Sequence, residues 1–122
     1  MSAGWFAAGA VLAAVGVGLG AFGAHGLKSR VSPDMVAIWE TGARYHLIHA
    51  LGLLAVAWAV ERWPTASIAG WLFVAGTLLF SGSLYVLVLT GQRWLGAITP
   101  LGGLAFIAGW LLLASVALRT RA

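Results

Sequence analysis

The residues of this chain that are most able to do chemistry lie close together, between Glu40 and His49. Glu40 and Arg44 are four residues apart, which places them on one helix face in the acid-before-base order that favours an ion pair. His46 and His49 are three residues apart and share a second face, about 120° from the first. Two imidazoles on one helix can ligate a metal ion, but they are too few for a complete site. The spacing therefore indicates either a charge pair with two hydrogen-bonding histidines or part of a metal or haem site.

A second set of polar residues follows further along the chain, at Ser81, Ser83, Tyr85 and Thr99. Hydroxyl groups inside a membrane require hydrogen-bond acceptors, because no water is present to satisfy them. We expect His49 on a neighbouring helix to be a partner of the serines. A serine beside a histidine also occurs in hydrolases, but no orienting carboxylate or oxyanion motif accompanies this pair. The sequence therefore predicts no catalytic residue and favours a protein that is not an enzyme.

His25 is the third histidine and follows Gly23 at the end of the first apolar run. It either lies at the membrane surface as a polar anchor or reaches toward the second helix as a site residue. Its imidazole is the only additional nitrogen ligand that could bind a metal ion or a haem iron together with His49. The chain has no cysteine, which excludes thiolate ligands, disulfides and cysteine nucleophiles. We therefore predict no metal or other cofactor and keep a site built on His25 and His49 as an alternative.

Four long apolar runs must position these residues, at about 3–24, 47–60, 68–89 and 95–118. All Lys, Arg, Asp and Glu residues lie outside the runs, and they make up only 8% of a chain that is 61% hydrophobic. Soluble domains carry about 25% charged residues, and a helix of about 20 apolar residues crosses a bilayer. The sequence therefore predicts an all-α integral membrane protein. It is expected to form one four-helix bundle over residues 1–122, with spans at about 4–25, 44–61, 66–90 and 95–118.

The second run is too short to cross a bilayer alone, since it covers only about 21 Å as a helix. Ser32-Pro33-Asp34 is a typical helix start, and the simplest interpretation is one helix over 33–62, about 45 Å long. Its first part, about 33–44, is predicted to be a polar, amphipathic extension. This extension either lies in the interface, kinks at Gly42 or projects from the membrane. The short run also draws residues up to Tyr45 into the bilayer.

Small residues on the first run form a stripe suited to close helix packing. Gly9, Gly16, Gly20 and Gly23 recur at intervals of seven, four and three residues, so they lie on one helix face. We expect this stripe to pack against another helix of the same chain, and alternatively to contact a second copy or a membrane partner subunit. The net charge of +4 suits contact with anionic lipid headgroups. No cluster of Lys and Arg resembles a nucleic-acid-binding surface.

The basic residues favour an orientation with both termini in the cytoplasm. With four spans, the termini share one side with Arg62 and with the paired arginines Arg119 and Arg121. The loops of the opposite side carry a similar number of basic residues, so the paired C-terminal arginines decide the prediction. The first run lacks the basic start of a signal peptide and is too long for one, so we expect it to be retained as a span.

Four ordered motifs resemble those of a known family: GAFGAHGL at 20–27, YHLIHAL at 45–51, LFSGSLY at 79–85 and ITPLGG at 98–103. The chain resembles the small bacterial membrane proteins catalogued as domain of unknown function 423, whose animal relative is transmembrane protein 256. The resemblance covers nearly the whole chain and implies a four-helix, multi-pass protein of the bacterial inner (plasma) membrane. It implies no activity. The family often has Gln at the position of His46, which favours His25 and His49 as site histidines.

Polar groups that recur on three spans at compatible depths predict a small polar pocket inside the bundle. We expect a non-enzymatic membrane protein whose pocket binds a lipid, a small amphiphile or a partner subunit. One alternative is a redox protein that holds haem or a metal through two histidines. Another is an oligomeric conduit for small solutes or protons through the charge pair and the histidines. The candidate pocket residues are His25, Glu40, Arg44, Tyr45, His46, His49, Ser81, Ser83, Tyr85 and Thr99.

Overall fold

The protein consists of four long antiparallel helices joined by short turns, in a computed structural model that describes residues 1–120. Their bounds are Ala3–Ala24 for α1, Pro33–Arg62 for α2, Pro64–Thr90 for α3 and Thr99–Arg119 for α4. Each helix, together with the short 3-10 turns beside it, is long and apolar enough to cross a membrane. The predicted all-α bundle with four spans is thereby confirmed. Arg121, one of the arginines used to predict orientation, lies outside the described residues.

The long second helix begins where the sequence predicts and continues without a break. Ser32 caps it, because its Oγ accepts a hydrogen bond from the backbone N–H of Met35 at 3.3 Å. Gly42 lies inside the helix and is buried, with the ring of Tyr85 on α3 packed against it. The extension at 33–44 is therefore the first part of α2, as the predicted helix over 33–62 has it, and the helix does not break at Gly42. The second half of this continuous helix carries the apolar run.

α1 packs on α2 through three glycines spaced seven residues apart. These are the buried residues of α1, and the residues of α2 that lie against them are also seven apart. Two antiparallel helices that share a seven-residue repeat stay in contact along their whole length. Three of the four predicted stripe glycines therefore pack within the chain, as expected. The exception is Gly20, where a Cβ would have no atom within 4 Å. The contacts are Gly9 with Leu53, Gly16 with His46 and Gly23 with Trp39.

The glycines also expose backbone carbonyl groups of α1 to polar side chains of α2. In a helix each side chain leans toward the N-terminus and covers the backbone one turn earlier. A glycine has no side chain to cover the preceding turn. At two of the buried glycines, the carbonyl oxygen four residues earlier is therefore accessible to α2. Both carbonyls accept a hydrogen bond from α2, at 2.8 Å in each case. The bonds run from His46 Nε2 to Leu12 O, four residues before Gly16, and from Trp39 Nε1 to Leu19 O, four residues before Gly23.

Close helix contacts run in chain order, α1 on α2, α2 on α3 and α3 on α4. α3 and α4 approach closely where Gly76 meets Gly102, and the ring of Phe73, one turn before Gly76 on α3, packs on Gly109, two turns after Gly102 on α4. In the 18-residue apolar segment of each helix, 50% of the residues of α2 and 44% of those of α3 are buried within the protein. The corresponding shares are 17% for α1 and 22% for α4. The two outer helices therefore present most of their surface to lipid.

A π-helical turn, Thr77–Ser81, interrupts the regular helix in the middle of α3. Thr77 Oγ1 donates to the carbonyl oxygen of Phe73 at 2.8 Å, and the N–H of Gly82 donates to Thr77 O. The extra residue in the turn changes the direction of the side chains that follow. As a result Phe80 packs toward α4, whereas Ser81 bonds to α2.

Candidate functional site

His46 connects three helices. Its Nε2 lies 2.8 Å from the carbonyl oxygen of Leu12 on α1, and its Nδ1 lies 3.0 Å from the hydroxyl of Tyr85 on α3. A carbonyl oxygen only accepts hydrogen bonds, so Nε2 carries the proton and Nδ1 accepts from the tyrosine hydroxyl. Both nitrogens of this buried ring are therefore occupied, and no lone pair is left for a metal.

His49 lies in an aromatic cage between α2, α3 and α4. Its ring stacks on Phe106 at a centroid distance of 3.5 Å and meets the ring of Phe73 edge to face, with centroids 5.2 Å apart. Its Nδ1 lies 2.7 Å from the backbone oxygen of Tyr45, and Trp110 Nε1 donates to its Nε2 at 2.9 Å. An indole N–H only donates, so His49 carries its proton on Nδ1, the opposite tautomer from His46. The predicted bond from His49 to a serine is wrong, because the indole of Trp110 takes that position.

The hydroxyl residues of α3 and α4 bond to nearby helices. Ser81 donates to the backbone oxygen of Gly42 on α2 at 2.7 Å. The hydroxyl oxygens of Ser83 and Thr99 lie 2.6 Å apart and join α3 to α4. Throughout the described part of the chain, every buried side-chain nitrogen and oxygen has a hydrogen-bond partner. These groups therefore stabilise helix contacts and leave no polar atom open toward a cavity.

Glu40 and Arg44 lie on the exposed face of α2 and form no ion pair with each other. Among residues 1–120, the one ion pair joins the amino group of Met1 to Glu61 at the opposite end of the molecule. The exposed face continues past Arg44 to Ile48 and Leu51, both of which are apolar. The predicted pairing of Glu40 with Arg44 is therefore wrong in this structure, and both charges face outward.

His25 lies apart from the other two histidines. It is exposed at the C-terminal end of α1. It follows Leu12, the residue of α1 beside His46, by thirteen residues, or about 20 Å along the helix. His49 lies one turn further away along α2. A haem or metal site that uses both His25 and His49 does not fit this geometry, and no cluster of three His, Cys, Asp or Glu residues occurs within residues 1–120.

A groove of about 400 Å³ opens between α2 and α4 beside His49. Its walls are largely aromatic, and Tyr45 and Trp110 at its edges are 39% and 41% exposed, so the groove faces the lipid. Gly103 adds no side chain to the wall, and a Cβ there would lie 3.8 Å from the ring of Phe80. The lining residues are Tyr45, Ile48 and His49 of α2, Phe80 of α3, and Gly103, Phe106, Ile107 and Trp110 of α4.

The helix packing gives the depth of this groove in the bilayer. α1 has 22 residues and is about 33 Å long, close to the roughly 30 Å of a hydrocarbon core. The seven-residue contacts of α1 with α2 place His49 beside the middle of α1, and therefore near the bilayer midplane. Arg44 is five residues from His49, or about 7–8 Å, which puts its Cα about 7 Å inside the hydrocarbon edge. Glu40 lies one turn nearer the surface.

The structure divides the ten predicted pocket residues among three environments, so no single polar pocket gathers them. Some bond between helices, some line the apolar groove and some are exposed on the molecular surface. The conduit alternative has no continuous chain of hydrogen bonds to support it in the described residues, since its charged groups face outward and its buried histidines bond to different helices. The interhelical set is His46, Ser81, Ser83, Tyr85 and Thr99; the groove set is Tyr45 and His49; the exposed set is His25, Glu40 and Arg44.

Sequence reasoning missed two residues that define the groove, Phe106 and Trp110. A signal for Trp110 was present, because an indole N–H within a span requires an acceptor and the unpaired histidines are suitable acceptors. Phe106 carries no comparable signal, since one apolar residue among many on α4 gives no indication of its partner. The carbonyl of Leu12 could have been inferred from Gly16 four residues later, which leaves it uncovered.

Comparison with known proteins agrees with the motifs of the sequence. Residues 19–103 match the model of a family described as a protein of unknown function, DUF423. The UPF0382 membrane protein YwdK of Bacillus subtilis is 48% identical over 114 residues, covering 91% of this chain and 93% of that protein. The UPF0382 membrane protein SERP0230 of Staphylococcus epidermidis is 49% identical over 113 residues, covering 91% and 92%. No solved structure matches the chain. This chain therefore belongs to the DUF423 family of bacterial membrane proteins, as its four motifs predict.

Proposed function

We propose that this protein is a non-enzymatic membrane protein that binds one acyl chain of a lipid or small amphiphile in the groove between α2 and α4. The observation that carries the proposal is the lipid-facing groove of about 400 Å³ near the bilayer midplane. Its volume lies within the range of about 300–1,000 Å³ typical of small-molecule sites, which are also mostly apolar and aromatic. An acyl chain is the ligand that matches such a wall at this depth.

The wall of the groove is preformed, because hydrogen bonds and ring stacking hold its side chains in place. His49 is held by two hydrogen bonds, from its own Nδ1–H to Tyr45 O and from Trp110 to its Nε2. Phe106 is held by stacking on His49 and by Phe80, with ring centroids 5.6 Å apart. A preformed wall loses little conformational freedom when a ligand binds, which favours binding over transient contact.

Filling the groove from Gly103 is expected to remove the bound chain. In Gly103→Leu the new side chain enters the groove, because a Cβ at this position meets only the ring of Phe80 at 3.8 Å. Gly18→Leu is the matched control, since it adds the same side chain to a lipid-facing glycine that has no atom within 4 Å of a Cβ. Native mass spectrometry of protein equilibrated with phosphatidylglycerol in mild non-ionic detergent measures the occupancy. We expect at least a fivefold loss of bound lipid in Gly103→Leu and none in Gly18→Leu.

Two outcomes would contradict the proposal. One is equal lipid occupancy in Gly103→Leu and the original protein, which would place bound lipid elsewhere. The other is an equal loss in both leucine variants, which would indicate a general effect of added surface bulk. Circular dichroism and gel filtration of each preparation check that the four helices and the size of the protein are unchanged.

A further inference from the structure

We infer that Arg44 binds the anionic headgroup of the amphiphile whose chain lies in the groove, so that the site selects anionic lipids over zwitterionic ones. The inference rests on the proposed acyl-chain groove and adds the chemical class of its ligand. It assigns a role to a charged residue that the helix contacts do not explain.

The depth of Arg44 requires its charge either to reach the interface or to pair with an anion. Its Cα lies about 7 Å inside the hydrocarbon edge on the exposed face of α2. A guanidinium at this depth is costly unless it reaches the interface or pairs with an anion. Its long side chain can extend toward the interface, where lipid phosphates and carboxylates lie.

No side chain in the described part of the protein supplies that anion. Glu40, one turn nearer the surface on the same face, forms no ion pair with Arg44. The only other acidic residue at this end, Asp34, is ten residues away along the helix, or about 15 Å. The basic residues at the same end, Lys28, Arg30 and Arg93, add positive charge rather than neutralise it.

Arg44 is also next to the groove. Tyr45 follows it in the sequence and Ile48 lies one helical turn further, and both line the groove. One molecule can therefore place its headgroup at Arg44 and its chain along the groove toward Trp110. The portion of α4 between Gly103 and Trp110 is about 10 Å long, enough for the inner part of an acyl chain.

The chemistry of arginine suits an anionic headgroup. The guanidinium is planar and always charged, and it presents paired donors that match the oxygens of a phosphate or carboxylate. Tyr45, the residue after Arg44, lines the groove and is 39% exposed, so its hydroxyl is a second potential donor to a bound headgroup. A zwitterionic headgroup offers the same phosphate but brings a cation beside Arg44, so it is bound less well.

The test is a competition between two lipids that differ only in headgroup. Protein in mild non-ionic detergent is equilibrated with equal amounts of phosphatidylglycerol and phosphatidylcholine that carry the same acyl chains. Native mass spectrometry then gives the ratio of the two bound lipids. We expect the original protein to favour phosphatidylglycerol about fivefold to tenfold and Arg44→Gln to bring the ratio close to one. Arg30→Gln, which removes the same charge at the same end of the molecule, is the matched control and should keep the preference.

Two further binding measurements define the role of Arg44. Glu40→Gln should preserve or increase the preference for phosphatidylglycerol, because it removes a competing anion near Arg44. Addition of palmitate distinguishes the two sources of an anionic headgroup. Displacement of phosphatidylglycerol by palmitate would assign the site to single-chain carboxylates, and retention would assign it to phospholipids; in both cases the Arg44→Gln competition decides whether Arg44 holds the headgroup.

Three results would overturn the inference. If Arg44→Gln keeps the preference while Gly103→Leu still loses lipid, the groove stands and the headgroup role of Arg44 is wrong. If Glu40→Gln loses the preference as fully as Arg44→Gln does, the two residues act as an ion pair and not as a lipid site. If Gly103→Leu binds lipid normally, the proposed function fails, and any preference is a property of the protein surface.

Discussion

Replacing Gly102 with alanine is expected to destabilise the protein by about 3 kcal/mol or more, at the upper end of the range for overpacked interiors. A Cβ at this position would lie 2.7 Å from the Cβ of Phe80 and 2.8 Å from the carbonyl oxygen of Gly76, with the backbone nitrogen of Phe80 also in collision. Two of these three neighbours are backbone atoms of α3. No change of side-chain rotamer can relieve the clash, so α3 and α4 must move apart.

The effect should extend from stability to the groove. Phe80 lines the groove and packs on Phe106, which in turn stacks on His49. Separation of α3 from α4 displaces Phe80 and loosens this aromatic wall. We therefore expect Gly102→Ala to lower both the resistance to unfolding and the amount of lipid bound.

Gly103→Ala is the matched control for this prediction. It is the same chemical change one residue along α4, at a position where a Cβ makes only ordinary contact with Phe80 at 3.8 Å. Unfolding of purified protein by increasing SDS, followed by circular dichroism, compares the two variants. Equal unfolding midpoints would show that the close approach of α3 and α4 at Gly102 does not hold the bundle together.

His46→Leu is expected to destabilise the protein by about 2–4 kcal/mol. The change removes the bonds to Leu12 on α1 and Tyr85 on α3. Interhelical bonds in membranes average about 0.6 kcal/mol and reach about 1.7 kcal/mol. The hydroxyl of Tyr85, a partly buried residue, would also be left without a partner, which adds about 1–3 kcal/mol.

A double-mutant cycle separates this specific effect from a general loss of packing. Tyr85→Phe alone should destabilise the protein, whereas in the His46→Leu background it removes the unsatisfied hydroxyl and should be neutral or stabilising. The expected coupling between the two residues is at least about 1 kcal/mol. His46→Gln should retain most of the stability, because an amide can donate to Leu12 O and accept from Tyr85. Additive losses in SDS unfolding, with no benefit from glutamine, would contradict the bonding assigned to His46.

Much of the helix framework was predictable from local sequence. The predicted helix over 33–62 agrees with the observed α2, because Ser32 and Pro33 mark its start and the chain offers no breaker inside it. The glycine stripe of α1 was predictable for a similar reason, since a repeat of seven places small residues on one face. These features depend on neighbours within one or two helical turns.

The partners of the polar residues were harder to predict. The spacing of His46 and His49 indicates a shared face, yet the first bonds to α1 and α3 and the second lies in a cage formed with α4. The ion pair of Glu40 with Arg44 is permitted by their spacing but is absent. A spacing rule gives the direction of a side chain from its own helix, and it contains no information about which helix lies opposite.

The sequence by itself determined that this is a membrane protein of four helices, because the number and length of its uncharged apolar runs are set by residue composition and by the thickness of a bilayer. It also determined the family, through motifs that can be read along the chain. Only the tertiary structure decided that most of the polar residues satisfy one another and that Tyr45 and His49 line an apolar groove rather than a polar pocket. The reason is that hydrogen-bond partners and cavities arise between segments distant in sequence, where the close approach of glycine-bearing helices determines which groups meet.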